Sequence, residues 1–149
     1  MTKPNAYVFD LDGTLCDVRH RRHWVASKPQ NWAAFNAAIA HDGVNVPVFQ
    51  ALRGLQSAGN KVILLSGRED SNRGVTEEWL FRHGVEYDEL IMRGTKDYRK
   101  DSIIKSEFVD ELVRKYNIVG AFDDRQQVVE MWIARGIFVF DVSQGQGNF

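Results

Sequence analysis

The chain has one cysteine, three prolines and no long apolar run. The single cysteine, Cys16, excludes an intramolecular disulfide and is typical of proteins in a reducing compartment. A membrane-spanning helix needs about 18 or more consecutive apolar residues, and the first residues have no apolar segment of the kind found in secretory signals. These absences predict a soluble cytoplasmic protein with no membrane partner.

An excess of charge of one sign is also absent. The formal net charge is −1, and 44% of the 149 residues are hydrophobic. A chain of this charge does not coat nucleic acid without selectivity, so contacts with an anionic polymer must come from local clusters. The apolar content predicts a single domain over residues 1–149 with a full core.

Apolar strand-like segments alternate with amphipathic helical segments along most of the chain. The predicted strands are Tyr7 to Phe9, Lys61 to Leu65, Leu90 to Met92, Ile118 to Phe122 and Ile137 to Val142. The predicted helices run from Asn45 to Gly59, from about Asn72 to His83, from an N-cap at Asp101, and from Asp124 to Arg135. This alternation predicts an α/β, Rossmann-like fold with a parallel sheet between layers of helices.

The stretch from Asp17 to Val44 departs from this alternation. It contains Arg19-His20-Arg21-Arg22-His23 and a predicted short helix from Asn31 to Ala40. Because it is too small to form a second domain, we interpret it as a flap, or minimal cap, over a functional site. The glycine- and glutamine-rich end, Gln144 to Asn148, is predicted to be a loose tail.

Polar clusters follow the predicted strands. Asp10 and Asp12 come after the first strand, and Asp123 and Asp124 come at the end of another. Carboxylates this close repel each other unless a cation lies between them or one takes a proton. Gly13 permits a sharp turn. The pattern therefore predicts metal-assisted phosphoryl transfer, with Mg²⁺ bound by carboxylate oxygens.

Another strand is followed by Ser66-Gly67-Arg68, where a hydroxyl and the next backbone N–H can bind a phosphate oxygen. A lysine could neutralise the transferring phosphoryl group. The residues themselves leave Lys100, Lys105 and Lys115 as alternatives for that role.

The order of these segments resembles the four motifs of the haloacid dehalogenase (HAD) superfamily. The motifs correspond to Asp10-Leu11-Asp12-Gly13-Thr14, Ser66-Gly67-Arg68, Lys105 and Asp123-Asp124. More narrowly, Arg99-Lys100-Asp101 with Lys105-Ser106-Glu107, and the run from Asp123 to Trp132, resemble the 3′-phosphatase domain of phage polynucleotide kinase/phosphatase. The resemblance covers most of the chain, is weakest from Val18 to Val44, and implies a bacterial or phage-infected host cytoplasm.

The superfamily resemblance implies a role for each motif. Asp10 would be the nucleophile that becomes an aspartyl phosphate, Asp12 the acid and base, and Lys105 the neutralising cation. Mg²⁺ would be held by Asp10, the backbone carbonyl of Asp12, Asp123, and Asp124 directly or through water. The phosphate would be bound by Ser66, Gly67, Arg68 and Thr14.

The narrower resemblance implies that Arg21, Arg68 and Arg93 bind the substrate phosphate or support the surrounding loops, with Asp101 in a supporting role. A guanidinium fork suits phosphate oxygens. Arg93 could equally be an ordinary surface arginine, and Asp101 could simply cap its helix.

Three functions remain open at this level. The first is a phosphatase that removes terminal 3′-phosphates from DNA or RNA; with no Gly-x-x-x-x-Gly-Lys-[Ser/Thr] motif, it would depend on a separate polynucleotide kinase or ligase partner. The second is a phosphatase of nucleotides or other small phosphate esters, which the near-neutral charge and the lack of an obvious aromatic stacking platform favour. The third is a non-catalytic binding module, which would predict loss of a charged motif residue, and none is lost.

Overall fold

The computed structural model describes residues 2–147, and its centre is a five-stranded parallel sheet. The strand order is β5-β4-β1-β6-β7. These strands are β1 (Asn5–Phe9), β4 (Lys61–Glu69), β5 (Glu89–Arg93), β6 (Asn117–Asp123) and β7 (Phe138–Asp141). A separate antiparallel pair is formed by β2 (Cys16–Asp17) and β3 (Gly43–Val44).

Helices cover both faces of the sheet, as the sequence predicts. The helices are α1 (His23–Ala26), α2 (Trp32–Ala37), α3 (Val46–Ser57), α4 (Arg73–Arg82), α5 (Asp101–Lys115) and α6 (Gln126–Ala134). Leu52 of α3 and Trp79 of α4 belong to the core that contains Phe9. Val109 of α5 and Trp132 of α6 belong to the opposite core. The two cores lie on the two faces of the sheet, because successive strand residues alternate between them.

Strand β4 shows why the sequence reads as a continuous apolar run. Val62 and Leu64 pack in one core, while Ile63 and Leu65 pack in the other, and all four are buried. A strand covered on both faces needs no polar alternation. The strand continues to Glu69 rather than ending at Leu65, so Ser66 and Gly67 belong to the sheet itself.

Of two predicted helix caps, Asp101 is wrong and Asn45 is right in position alone. Asp101 is the first residue of α5, and the N-cap position belongs to Lys100, which makes no side-chain cap hydrogen bond. Asn45 occupies the N-cap position of α3, but its side chain donates to the Thr14 carbonyl oxygen at 2.8 Å instead. The Asn45 side chain bonds 31 residues away in the chain, and the Asp101 carboxylate lies near Arg93 and Lys105.

The flap, residues 17–44, is a folded insertion that begins and ends at the β2–β3 pair. It contains α1, α2 and two 3₁₀ turns, at Arg19–Arg21 and Ile39–His41. The predicted short helix is present as α2, and Asn31 caps it, since its side chain accepts from the Ala34 N–H. Helix α2 ends at Ala37 instead of Ala40, because the chain tightens into the second 3₁₀ turn and buries Ile39 there.

The carboxyl-terminal segment is less loose than predicted. The Gly147 carbonyl oxygen accepts from the Gln126 N–H at the start of α6, and Gly147 is buried; Asn148 lies outside the described residues. Within residues 2–147, none of the helices has the length and apolar character that crossing a membrane requires.

Candidate active site

Three carboxylates meet beyond the ends of two adjacent central strands. Asp10 follows β1, Asp123 ends β6, and Asp124 follows it; one oxygen from each lies within 4.8 Å of the others. The chain passes from β1 to β4 on one side and later returns to β6 on the other. Such a reversal of strand order opens a crevice at the carboxyl edge of a parallel sheet. The structure thus brings together the acids of the first and fourth motifs.

Lys105 supplies the cation at this cluster. Its Nζ donates to Asp10 Oδ1 and to Asp123 Oδ2, each at 2.9 Å, and lies 3.7 Å from Asp101. Burial alone would lower the pKa of Lys105, but the neighbouring carboxylates raise it well above its ordinary value. Of the three lysines left open by the sequence, only this one is buried among the acids. Lys115 instead bonds to Glu89 at the opposite end of α5, and Lys100 is exposed.

One lysine does not balance three buried acids. Burial and the charge of Asp10 raise the pKa values of Asp123 and Asp124 above the ordinary range of a carboxyl group. Clustered, buried carboxylate oxygens are the ligands that Mg²⁺ prefers. The donor set therefore fits the predicted Mg²⁺ site, with Asp10, Asp123 and Asp124 as the side-chain ligands.

The side chain of Asp12 lies outside this cluster and is held by arginines. Arg21 Nη2 and Arg68 Nε and Nη2 all donate to Asp12 Oδ1, at 2.8, 2.9 and 2.6 Å. Burial would raise the pKa of Asp12, but the guanidinium groups of Arg68 and Arg21 lower it overall. Oδ2 takes part in none of these bonds, and the side chain is 30% exposed. The arginines orient Asp12 and engage only one of its two carboxylate oxygens.

Asp42 completes this arrangement, although the sequence did not predict it as a site residue. Its carboxylate is fully buried and accepts from Arg21 Nε at 2.7 Å and Nη2 at 2.8 Å, and from Arg68 Nη2 at 3.2 Å. Its carbonyl oxygen accepts from Trp79 Nε1 at 2.8 Å. The only sequence signal is an acid at the end of a flap rich in arginine. This signal does not indicate a partner for Asp42, because the contact with Arg21 depends on the pairing of β2 with β3.

Arg21 and Arg68 therefore lie where the sequence analysis placed them, at the site, but against Asp12 and not against open space. The Arg21 side chain has no exposed surface and that of Arg68 is 3% exposed. Their contact with a substrate phosphate stays a prediction.

The predicted phosphate-binding residues surround the cluster. Thr14 Oγ1 donates to Asp10 Oδ2 at 3.2 Å, and Ser66 Oγ accepts from the Arg68 N–H at 3.1 Å. Gly67 passes so close to Asp101 that a Cβ would lie 2.5 Å from its Oδ1. At Gly13, φ is +82°, and a Cβ would lie 2.0 Å from Asp124 Oδ2. Only glycine fits both positions.

Arg93 and Asp101 form a support behind Gly67. Arg93 donates to the carbonyl oxygens of Gly67, Asp97 and Arg99 at 2.8 to 2.9 Å, and Nη2 lies 3.3 Å from Asp101 Oδ1. These bonds engage all three guanidinium nitrogens. The arrangement favours the loop-supporting role over direct phosphate binding.

The flap adds a cation that was not predicted as a site residue. Arg22 Nη2 lies 3.5 Å from Asp124 Oδ2, and a Cβ on Gly13 would lie 3.0 Å from the same nitrogen. The Arg22 side chain is 40% exposed. It therefore lies at the boundary between the acid cluster and solvent.

This parallel sheet, with a nucleophile-type aspartate after β1, a buried lysine on α5 and an acid pair after β6, defines a HAD-type phosphoryl-transfer site. Over residues 4–149 the chain matches the family described as the polynucleotide kinase PNKP phosphatase domain, and it belongs to that family.

Relatives of known structure agree with this membership. A chain of the Pnkp1/Rnl/Hen1 RNA repair complex shares 40% identity and a TM-score of 0.80, over 93% of this chain and 42% of that one. A class C acid phosphatase of Bacillus anthracis superposes over 95% of this chain and 68% of its own with a TM-score of 0.68 at 20% identity, which shows the fold alone.

A protein of Autographa californica nuclear polyhedrosis virus, assigned as a bifunctional polynucleotide kinase/RNA ligase, is 29% identical over 132 residues. The match covers 87% of this chain and 18% of the viral protein. The chain thus spans less than half the length of these polynucleotide kinase relatives.

Proposed function

We propose that this chain is a Mg²⁺-dependent phosphatase that removes terminal 3′-phosphates from DNA or RNA through an aspartyl phosphate on Asp10. The single observation that carries the chemistry is the pairing of Asp10 with buried Lys105, while Asp12 is held apart by arginines. One carboxylate is thereby prepared to attack, and the other to transfer protons. Membership of the polynucleotide kinase phosphatase family supports a nucleic-acid end as substrate.

The first half-reaction forms a bond between an Asp10 oxygen and phosphorus as the bond from phosphorus to the 3′ oxygen breaks. Asp12, protonated on Oδ2, gives its proton to the departing 3′ oxygen, which leaves as a hydroxyl. Lys105 offsets negative charge on Asp10 and on the transferring group. Ser66, Gly67 and Thr14 are the candidate partners for the phosphoryl oxygens.

The second half-reaction hydrolyses the aspartyl phosphate. Asp12, now ionised, takes a proton from water as the water oxygen attacks phosphorus, and the bond to Asp10 breaks to release inorganic phosphate. The lowered pKa of Asp12 favours its ionised form, which acts in this step, whereas the first half-reaction uses the less populated protonated form. Mg²⁺, held by Asp10, Asp123, Asp124 and the Asp12 carbonyl oxygen, would neutralise charge on the phosphoryl oxygens.

The proposal extends to partners. These relatives are larger than this chain; one comes from an RNA repair complex, and the viral one is assigned as a polynucleotide kinase/RNA ligase. We propose that a kinase or ligase activity acts on the same ends. Because release of a 3′-phosphate exposes a 3′-hydroxyl, an end-joining reaction would use the product.

The experiment compares phosphate release from a 3′-phosphorylated oligonucleotide, its 5′-phosphorylated isomer and a panel of mononucleotides, with Mg²⁺. Preferential release from the 3′-phosphorylated oligonucleotide is expected, and the Asp10→Asn protein serves as the matched inactive control. A wild-type enzyme that prefers mononucleotides would support the small-ester phosphatase instead. Release from none of them would support a non-catalytic module.

A further inference from the structure

Two of the four tryptophans, both on the flap, are exposed. Trp24 is 40% and Trp32 53% exposed, whereas Trp79 and Trp132 are each 1% exposed. The exposed pair lies close together in the backbone, because the N–H of Asn31 donates to the Trp24 carbonyl oxygen at 2.7 Å.

The ring of Trp32 is connected to the catalytic acid by direct contacts. It packs edge-on against Phe35, with ring centroids 5.4 Å apart. The Arg21 guanidinium lies 4.2 Å over the Phe35 ring and donates to Asp12 at 2.8 Å. One ring therefore separates Trp32 from the arginine that orients the candidate proton donor.

Trp24 is connected to the other side of the site. It lies two residues after Arg22, which reaches Asp124 and is partly exposed. Its ring packs against His23, with centroids 4.7 Å apart. The two tryptophans thus belong to the same small insertion whose arginines reach both Asp12 and Asp124.

The flap is positively charged although the whole chain is not. Over residues 17–44 it has four arginines or lysines, three histidines and two aspartates. Arg21 is buried against Asp42, whereas Arg22 is partly exposed and Lys28 is exposed. The chain as a whole has a net charge of −1. A local cationic surface of this kind attracts a phosphate backbone. Aromatic rings beside such a surface are the usual arrangement for binding single-stranded nucleic acid.

We propose that Trp24 and Trp32 form a stacking surface for the bases next to the 3′-phosphate of a single-stranded nucleic acid. This inference rests on the proposed function and names the residues that favour a polymer end over a small ester. Stacking on an indole tolerates any base, because every base has a π face. The proposed Trp24 and Trp32 surface would be the aromatic platform that the sequence did not make obvious.

Binding can be followed through tryptophan fluorescence, with Asp10→Asn in the background to prevent turnover. The probe is a single-stranded hexathymidylate with a 3′-phosphate, and its abasic counterpart is the control ligand. Quenching is expected with the thymidylate and should be lost in the Trp24→Phe/Trp32→Ala double variant, because Trp79 and Trp132 are buried. Equal quenching by the abasic ligand, or in the double variant, would overturn the stacking surface.

Kinetics provide an independent test. Trp24→Ala and Trp32→Ala should each lower kcat/KM for the 3′-phosphorylated hexathymidylate roughly five- to a hundredfold, mainly through KM. Glycerol 2-phosphate is a small ester without a ring. The ratio of kcat/KM for the hexathymidylate to kcat/KM for glycerol 2-phosphate should therefore fall. Trp32→Phe should restore most of the loss. Phe138→Ala, which removes an exposed aromatic at the amino end of β7, is the matched control and should leave the ratio unchanged.

The two proposals fail differently. A wild-type protein that releases no phosphate from the hexathymidylate, but does so from small esters, overturns the proposed function. The wild-type protein could instead prefer the hexathymidylate while the tryptophan variants lose kcat/KM equally on both substrates. That result overturns only the stacking surface. Far-UV circular dichroism of each variant verifies that the flap substitutions leave the protein folded.

Discussion

The Nζ of Lys105 lies 2.9 Å from Oδ1 of Asp10, although the two residues are 95 positions apart in the chain. The contact joins the carboxyl edge of the sheet to the first turns of α5, and both side chains are buried there. A carboxylate beside a fixed ammonium group can approach a phosphate with less repulsion. In the proposed mechanism, attack at phosphorus depends most directly on this pair.

Asp10→Asn should abolish turnover and leave the protein folded. The amide removes the nucleophilic oxygen, and it also removes one charge from a buried cluster of acids. Phosphate release and thermal unfolding, measured on the same preparation, test both statements. Retained phosphatase activity in the folded variant would rule out the covalent mechanism.

Lys105→Met should reduce kcat/KM at least about a hundredfold and lower the free energy of unfolding by about 3 kcal/mol. Three buried carboxylates then lose the ammonium group that contacts two of them. Urea unfolding measures the stability change. Lys115→Met is the control, since that lysine bonds to Glu89 away from the acids; a similar loss of activity there would contradict the assignment.

Mg²⁺ should be required for activity, and EDTA should inactivate the protein. Addition of Mg²⁺ should also raise the thermal midpoint, because the cation relieves repulsion among Asp10, Asp123 and Asp124. Asp123→Asn should weaken that rise, whereas Asp110→Asn, an exposed acid on α5, should not. Ca²⁺ should bind yet support little turnover, because its coordination is looser. Full activity in metal-stripped buffer would remove the cation from the mechanism.

Asp42→Asn should cost about 3–5 kcal/mol of stability, because it removes one of the two carboxylates that the buried guanidinium groups of Arg21 and Arg68 share, and leaves only Asp12. It should also slow hydrolysis of glycerol 2-phosphate more than that of p-nitrophenyl phosphate, whose leaving group needs little help from a proton donor. Urea unfolding and the two rates provide the measurements. Equal losses on both esters would mean that Asp42 does not act through Asp12.

Arg21→Ala should impair an oligonucleotide and glycerol 2-phosphate to a similar extent, roughly ten- to a hundredfold in kcat/KM. The reason is that Arg21 contacts Asp12, which serves every substrate. Parallel kinetics on the two substrates provide the measurement. A loss confined to the oligonucleotide would instead support contact between Arg21 and the substrate phosphate.

The sheet and its helices could be predicted because buried strands such as Val62–Leu65 are continuous apolar runs bounded by turns. The acids at the carboxyl edge could be predicted from the same pattern, because the carboxyl ends of parallel strands lie at one edge of the sheet. Lys105 could not be separated from Lys100 and Lys115 by local sequence. Its burial depends on how α5 packs against the sheet, and only the family resemblance indicated it in advance.

Asp42 and the partners of Asp101 depended on contacts that no local pattern records. Asp101 precedes an apolar helical face and so resembles an N-cap, but Arg93 and Lys105 draw its carboxylate inward. Asp42 acquires its role only when the β2–β3 pair brings it to Arg21. Ion pairs with Arg93 and Lys105 thus override the capping preference of an aspartate at Asp101, and the partners of Asp42 are 21 and 26 residues away in the chain.

The β2–β3 pair joins Cys16 to Val44 and Asp17 to Gly43, so the two ends of the flap leave the sheet domain side by side. An insertion with adjacent ends can be exchanged without changing the path of the strands that follow it. Transplanting residues 18–41 from a relative, with Arg21 and its spacing to Asp42 retained, would therefore transfer the surface that meets the substrate while the acids and lysine stay fixed. The flap is thus an exchangeable unit through which one phosphatase scaffold could acquire new specificities.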